Sequence, residues 1–516
     1  MSWPLLHTGK KLPLAWTFGV VLLLLGSSCE APQQPEAGAQ LAQQYCSGCH
    51  PFPSPDLLDR ETWATHTLPV MGYRLGIYGA GERDSLIAPF LKYNLDPDPY
   101  FPRTAQLSSD QWAAIHSYYA EAAPKALPAI DRQPPAGALP GFRVQTPAVS
   151  FSTPLTTLVQ IQDGYQAYLV GNYAANSSLV LLNAAGELQF NFALPGAPVA
   201  THIDGRRLYI LIVGAGPEPT VSTRGAVYVV DDPAQGPQLL INGLQRPVDF
   251  QLGDLDGNGL NDLVICEYGH YAGALSLYTQ RDPSTFDRHV LKQGPGTIAA
   301  QLHDFDGDNQ LDIVALTAQG NEGVDILFNR GDGQFEAQRV LEFPAVYGST
   351  SLLLEDFNGD GLQDLLYTNG DNADTSPILK NYHGIRIFEA VSSTSFEEAY
   401  FYPMYGAFAA QAADFNQDGR IDIAAISYFP DYVDDADGGF VLLLQNGPYA
   451  YNAHTFENAG LGRWLVMDTG DTDGDGDTDI LLGSNIGFGP AGDRLGLYAQ
   501  WTQGQQSAVL LENEIQ

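Results

Sequence analysis

Two cysteines and a histidine near the N-terminus have the types and the spacing that covalent haem chemistry requires. They occur together as Cys46-Ser47-Gly48-Cys49-His50. A two-residue gap lets both thiols add to the vinyl groups on one porphyrin edge, and the adjacent histidine reaches the iron as its proximal ligand. The motif therefore predicts one covalently attached haem c, with Cys46 and Cys49 as thioether residues and His50 on the iron.

Two other uses of a Cys-x-x-Cys pair compete with haem attachment. A dithiol redox pair is expected inside a βαβ unit, which the flanking sequence does not indicate. A zinc site needs two further soft ligands. Of the other two cysteines, Cys29 has a different predicted role and Cys266 is far away. The histidine directly after the second cysteine therefore favours haem.

The sixth iron ligand is expected downstream of the motif. Met71 is the only methionine between the motif and residue 400, and a thioether at the distal position stabilises ferrous iron. Met71 is therefore the candidate distal ligand. His66 and His116 are alternatives, and a packing role in the core is the other possibility for the methionine.

Helical patterns surround these residues. One pattern over residues 37–45 leads into the motif, and a capped helix that begins near residue 108 carries Trp112 and Ile115 at helical spacing. The segment resembles the class I c-type cytochromes. This resemblance implies a small all-α haem domain over residues 37–122 that transfers single electrons.

Five acidic loops form a second set of residues that could do chemistry. Each follows the pattern Asp-x-Asp/Asn-x-Asp/Asn-x-x-x-Asp, and successive loops begin 50, 52, 58 and 57 residues apart. Positions 1, 3, 5 and 9 are Asp254, Asp256, Asn258 and Asp262 in loop one, Asp304, Asp306, Asp308 and Asp312 in loop two, Asp356, Asn358, Asp360 and Asp364 in loop three, Asp414, Asn416, Asp418 and Asp422 in loop four, and Asp471, Asp473, Asp475 and Asp479 in loop five.

The spacing within these loops suits a hard cation such as Ca²⁺, which prefers several oxygen ligands. Position 6 is glycine in four loops and Asn309 in loop two, and both residue types tolerate the positive φ of a sharp turn. Position 12 lacks the glutamate of an EF-hand. A solvated acidic turn is the alternative, but five copies in register predict about five Ca²⁺ sites.

The loops belong to a repeated unit of about four strands. Each loop lies between apolar strand-like runs, such as residues 298–302 and 313–316 in the second copy. Two units without the loop begin near residues 163 and 204, which gives seven units in all. Propeller blades have this size, and seven of them close a ring. Residues 142–149 are expected to add a closing strand to the last blade.

Residues 142–516 resemble the FG-GAP/VCBS repeat family in these loops and in hairpins such as residues 326–335. The resemblance implies a mainly all-β fold, a calcium-stabilised seven-bladed β-propeller, joined to the small all-α N-terminal cytochrome c domain. It says little about activity, because such propellers serve adhesion, scaffolding and some lyases. The first two blades lack the loop and are not expected to bind Ca²⁺ in this way.

Residues 1–28 have the features of a signal peptide. Two lysines precede the apolar run Leu12–Leu25, which is shorter than a membrane span. Cys29 follows in a Gly-Ser-Ser-Cys sequence and is the predicted lipidation site. Secretion without a lipid is the alternative, because Gly26 stands where lipoprotein signals usually have leucine.

The remaining segments connect these parts. Residues 29–36 are predicted to be a tether, and the proline-rich residues 123–141 a semi-extended linker between two folding units. We expect an exported protein, periplasmic or on the cell surface, with a lipid anchor to the membrane.

The charge of the chain limits its partners. Its 516 residues include 60 acidic and 24 basic residues, for a formal charge of −36. Nucleic acid is excluded, because phosphate would be repelled. Seventeen of the acidic residues occupy loop ligand positions, so part of the acidity is predicted metal-binding capacity. The remainder predicts attraction to a basic redox partner, weakened by salt.

Three functions follow from these features. The first is an exported mono-haem cytochrome that transfers electrons, with a propeller that docks a partner or binds a carbohydrate or protein ligand. The second is an oxidoreductase whose propeller binds a substrate, such as a saccharide, and passes electrons to the haem. The third is an adhesion lipoprotein at the cell surface. No catalytic set supports the second function, so electron transfer is favoured.

Overall fold

The computed structural model describes most of the chain after its first 33 residues. The described residues are 34–515, except 94, 148, 150, 163, 174–175, 215, 217–220, 332, 374–375, 488 and 490–491. The predicted signal peptide and Cys29 lie outside the described residues.

Helices form the N-terminal part, and side-chain caps start two of them. The Asp59 carboxylate accepts the Thr62 N–H at 2.9 Å, and Ser108 and Gln111 form a capping box. The elements are α1 (Gln34–Cys46), a 3₁₀ turn (Pro55–Leu57), α2 (Arg60–Thr62), a π-helical turn (Trp63–Thr67), α3 (Leu68–Arg74), α4 (Glu82–Lys92) and α5 (Ser109–Ala122).

Helices α1 and α5 cross closely and share one apolar core. A side chain at Gly38 of α1 would collide with the Ala114 carbonyl of α5, so glycine is what permits the crossing. The buried core is formed by Ala42, Leu58, Trp63, Leu68, Leu107, Ile115 and Tyr119. Within the described part of the chain, no helix combines the length and the apolarity that a membrane crossing requires.

Seven antiparallel four-stranded sheets follow the helices, which confirms the predicted seven-bladed β-propeller. The first strand of each blade contacts the first strands of both neighbouring blades, so the ring is closed. Blades one to three consist of β2 (Thr156–Gln162), β3 (Ala167–Asn172), β4 (Ser177–Asn183), β5 (Leu188–Leu194), β6 (Pro198–Asp204), β7 (Arg207–Ile212), β8 (Gly225–Val230), β9 (Gln238–Leu244), β10 (Pro247–Gly253), β11 (Asp262–Glu267), β12 (Ala274–Asp282) and β13 (Thr285–Gln293).

The seventh blade takes its outer strand from β1 (Phe142–Gln145), which pairs antiparallel with β28. This is the closing strand predicted within residues 142–149. Blades four to seven consist of β14 (Thr297–His303), β15 (Asp312–Thr317), β16 (Gly323–Asn329), β17 (Phe335–Glu342), β18 (Ser349–Glu355), β19 (Asp364–Asn369), β20 (Gly384–Ser392), β21 (Ser395–Pro403), β22 (Ala407–Ala413), β23 (Asp422–Ser427), β24 (Phe440–Gly447), β25 (Ala450–His454), β26 (Trp464–Gly470), β27 (Asp479–Ser484) and β28 (Ala508–Asn513). Blade seven also carries a 3₁₀ turn (Ala459–Leu461) before β26 and the helix α6 (Leu497–Gly504) before β28.

Each acidic loop connects the first and second strands of its blade. In an antiparallel meander, this connection and the one between the third and fourth strands lie at the same end of the blade. All five acidic loops therefore share one face of the ring, here called the acidic face. The opposite face carries the connections between second and third strands and between blades.

The helices pack on this opposite face. Tyr382, between β19 and β20, donates its hydroxyl to the Leu57 carbonyl at 2.9 Å, and Val346 is part of the helical core. A second contact places Tyr271, between β11 and β12, against Phe90 with ring centroids 4.9 Å apart. The helical unit and the propeller therefore share apolar contacts.

The predicted linker lies along the propeller instead of spanning free solvent. Ile130 donates its N–H to the Tyr405 hydroxyl at 3.0 Å, and the Arg132 guanidinium donates to the Tyr402 hydroxyl at 2.7 Å. Ala136 exchanges backbone hydrogen bonds with the last strand of blade six. Proline spacing predicted an extended chain here, but not its attachment to the blades.

Candidate functional site

The predicted haem-attachment residues lie where α1 ends. Cys46 is the last residue of α1 and is half-buried, whereas Cys49 is exposed, and both thiols are free. Burial raises the pKa of the Cys46 thiol to about 11. His50 Nδ1 lies 2.8 Å from the Pro51 carbonyl oxygen. Because a carbonyl only accepts hydrogen bonds, Nδ1 carries the proton and Nε2 keeps its lone pair for a metal.

The candidates for the distal ligand occupy different settings. Met71 is half-buried on α3, and Leu68 of that helix and Leu75 just after it belong to the same apolar core as Cys46. His66 is exposed in the π-helical turn. His116 is half-buried on α5, and burial lowers its pKa.

The surroundings of the motif suit a porphyrin. Partly buried apolar side chains pack against the helical core to which Cys46 also belongs, and a large apolar ligand could cover such groups. They include Leu41, Tyr45, Phe52, Leu57, Leu75, Ile77 and Trp112. Two thiols, one imidazole with a free Nε2 and this apolar surface are the groups that a covalent haem needs, so the residues fit the cofactor.

The five acidic loops have one common backbone geometry. In each, the first aspartate accepts the backbone N–H of position 6 at 2.7–3.1 Å. Position 6 has φ between +66° and +93° in all five loops, including Asn309. This confirms that the turn requires a residue tolerant of positive φ.

The ninth-position aspartates are fully buried and tie each loop to its blade. One carboxylate oxygen accepts the N–H of position 2. The other accepts an N–H of the blade's third strand. Burial raises the pKa of these carboxyls, in Asp422 to about 6. Except for the Asp479 oxygen that also accepts the Thr472 hydroxyl, each oxygen keeps a second lone pair with which it can bind a cation.

The donor sets fit a calcium-sized ion. In loops one, two and five, oxygens of three carboxylates lie within 4.8 Å of one another. Ligands on opposite sides of a Ca²⁺ ion are separated by about twice the bond length of roughly 2.4 Å. Those sets are Asp254, Asp256 and Asp262, then Asp304, Asp306 and Asp308, and finally Asp471, Asp473 and Asp479.

Two features of the loops were not predicted from the sequence. Arginines pair with ligand carboxylates, as in Arg281 with Asp256 at 3.1 Å and Arg330 with Asp306 at 2.6 Å. Arg330 follows the third strand of its blade, so only the hairpin connection brings it to the loop. The second feature is Asp477, at position 7 of loop five, which is also buried. The sequence could have indicated it, because loop five alone has an acidic residue at position 7.

The fold and the loops together define the class of this protein as a seven-bladed β-propeller with FG-GAP repeats. Residues 254–315 and 304–367 match the model of the FG-GAP-like repeat. These matches begin at loops one and two and continue into the second strands of the following blades. They confirm the repeat type predicted from the loops.

Among particular proteins, no curated sequence matches the chain. The N-terminal domain of Nup159 is similar in structure, with 10% identity, TM-score 0.42, and coverage of 74% of this chain and 98% of that chain. BBS1N in complex with ARL6DN has 8% identity, TM-score 0.42 and coverage of 72% and 96%. YCF48 bound to D1 peptide has 12% identity, TM-score 0.42 and coverage of 73% and 96%.

Proposed function

We propose that the protein is an exported mono-haem c-type cytochrome that transfers electrons, built on a calcium-stabilised propeller. The observation that carries the proposal is His50, whose Nδ1 is held by the Pro51 carbonyl at 2.8 Å directly after the two free thiols. This hydrogen bond fixes the tautomer and the ring orientation that a proximal ligand requires.

Each residue has a defined task in this proposal. Cys46 and Cys49 would hold the cofactor by thioethers, His50 would bind iron through Nε2, and Met71 would be the distal ligand. Bound haem would supply reversible one-electron chemistry. The apolar side chains around Cys46 would exclude water, and the exposed Cys49 leaves one edge of the site near solvent.

The propeller is proposed to bind Ca²⁺ in its five loops and to dock a partner. The net negative charge of the chain favours a basic redox protein as that partner, and the ring is also proposed to bind a carbohydrate or protein ligand. Export, with a lipid on Cys29 that anchors the protein to the membrane at the periplasmic or cell-surface side, belongs to the same proposal.

Intact-mass and haemochrome measurements on the full-length protein test the haem assignment. We expect one covalently bound haem per chain after expression in a host that matures c-type cytochromes. The double variant Cys46→Ala/Cys49→Ala should carry none, and the matched variant Cys266→Ala, which removes a buried cysteine in β11, should keep it. A wild-type chain without covalent haem in such a host would contradict the proposal.

A second experiment distinguishes electron transfer from substrate oxidation. Candidate saccharides are added to the oxidised protein in the absence of other donors. Electron transfer predicts an unchanged visible spectrum, whereas an oxidoreductase would reduce the haem. Unchanged ligand binding after loss of Cys46 and Cys49 would favour adhesion instead.

A further inference from the structure

Loop five differs from the other four loops by an additional carboxylate at position 7. Asp477 is only 4% exposed, and no hydrogen-bond donor among the described residues reaches either of its carboxylate oxygens. Burying a carboxylate without a partner is costly unless a cation accompanies it. The corresponding residues of loops one to four are Leu260, Gln310, Leu362 and Arg420.

The surroundings of Asp477 are acidic. Its carboxylate lies near those of Asp475, Asp479 and Asp473, which repel it. No salt bridge with these four aspartates is found in the described part of the chain. An arginine neutralises one ligand carboxylate in each of loops one, two and four, namely Arg281 on Asp256, Arg330 on Asp306 and Arg420 on Asp418. A cation entering loop five therefore meets more uncompensated charge than elsewhere.

Loop five also lies at the seam where the ring closes. Gln166 of blade one donates from Nε2 to the Asp473 carbonyl at 2.9 Å. Asn513, at the end of β28, donates its N–H to Asp479 at 2.8 Å and its side-chain amide to the Phe415 carbonyl of blade six at 2.8 Å. Strand β28 pairs in turn with the N-terminal strand β1. Three blades and the closing strand therefore meet around this loop.

We propose that Asp477 makes loop five the tightest cation site of the propeller, and that an ion bound there fastens the closure of the ring. The inference depends on the proposed Ca²⁺ binding of the loops. Affinity of oxygen-ligand calcium sites rises with the number of charged ligands and the rigidity of the site. Asp477 adds one charged ligand, and the contacts of Gln166 and Asn513 hold the loop in place.

Calcium titration of the full-length, chelator-stripped protein tests the first part. We expect one Ca²⁺ site at least tenfold tighter than the others in the wild type, and its loss in Asp477→Asn. Without metal, Asp477→Asn should melt at the same temperature as the wild type or higher, because a buried charge has been removed. Leu362→Asp, which places a carboxylate at position 7 of loop three, should tighten that site.

Hydrogen exchange at the seam tests the second part. Ca²⁺ should slow exchange of the amides of Phe142–Gln145 and Ala508–Asn513 in the wild type and not in Asp477→Asn. If both proteins bind Ca²⁺ with the same site affinities and show the same protection, the role of Asp477 is wrong while calcium binding stands. If Ca²⁺ neither binds to nor stabilises the wild type, the proposed calcium function fails as well.

Discussion

Single aspartates in the acidic loops divide into two groups with different physical roles. The ninth-position residues, such as Asp364, are fully buried and accept two backbone N–H groups each, from Phe357 and Ala390 in this loop. Residues at position 5 form the second group. Asp360, for example, is exposed and accepts hydrogen bonds from the Leu362 N–H and the Asn358 side-chain amide of its own loop. The first group supports the fold with or without a cation, and the second is available to the proposed cation.

This division predicts different behaviour without calcium for two variants of loop three. Asp364→Ala leaves two buried N–H groups without acceptors, at about 1–3 kcal/mol each, and should lower the melting temperature in chelator as well as in Ca²⁺. Asp360→Ala should melt like the wild type in chelator and lose part of the calcium-induced rise. Scanning calorimetry with and without Ca²⁺ measures both, and equal behaviour of the two variants would contradict the division.

A half-buried carboxyl on an inner strand predicts a pH effect. Asp249 of β10 accepts the Ala300 N–H of the next blade at 2.9 Å, and burial raises its pKa to about 6. The native state therefore holds a proton that the unfolded chain releases near pH 4, so stability falls as pH rises from about 4 to 6. Cys266, its titratable neighbour on β11, is buried with a raised pKa and stays neutral there.

The variant Asp249→Asn removes this titration and keeps an acceptor oxygen. Its melting temperature relative to the wild type should rise between pH 4 and pH 6 and then stay constant. The corresponding gain in the free energy of unfolding is up to about 3 kcal/mol. Melting curves of both proteins across this range measure the difference. A difference independent of pH would show that Asp249 is not the titrating group.

At the scale of elements, the crossing of α1 and α5 sets the position of the motif. Gly38 permits the crossing, and Cys46 is the last residue of the same helix. Gly38→Val should push the helices apart and reduce the yield of haem-loaded protein at least several-fold. Gln40→Val introduces the same side chain at an exposed position of α1 and should retain haem. Equal haem content, measured by haemochrome, in the two variants would contradict this role.

The sequence predicted elements well where their residues repeat. Five loops in register identified the propeller, and positive φ at position 6 required the glycines and Asn309. The blade boundary was offset, because the first strand of each blade precedes the loop that marks the repeat. Contacts made by unrepeated residues, such as Tyr382 on Leu57 or Arg330 on Asp306, depend on the tertiary arrangement and have no period to reveal them.

At the scale of the whole molecule, the helical unit and the acidic loops occupy opposite faces of the ring. The helical unit is held by Tyr382, which stacks on Tyr347 at 5.0 Å and bonds the Leu57 carbonyl, and by Tyr271 against Phe90. A protein that binds the acidic face therefore does not compete with the helices for the same surface. The two faces can be altered independently.

Loss of the tyrosine contact should uncouple the helical unit from the propeller. Tyr382→Ala removes a stacked ring and a hydrogen bond, together on the order of 2–4 kcal/mol. Calorimetry should then resolve a separate, lower-temperature transition for the helices. Tyr165→Ala, which removes a tyrosine that is 66% exposed, should melt like the wild type. A single unchanged transition in Tyr382→Ala would contradict the coupling.

Electron transfer by a chain with one haem is tested most directly by a visible spectrum recorded during redox titration of the purified full-length protein. The account predicts c-type absorption bands that change reversibly with a single one-electron midpoint, and a changed midpoint in Met71→Ala with haem still attached. Lowering of the midpoint is expected, because a thioether ligand stabilises ferrous iron. Absence of any redox-dependent absorption in the matured protein would contradict the central claim.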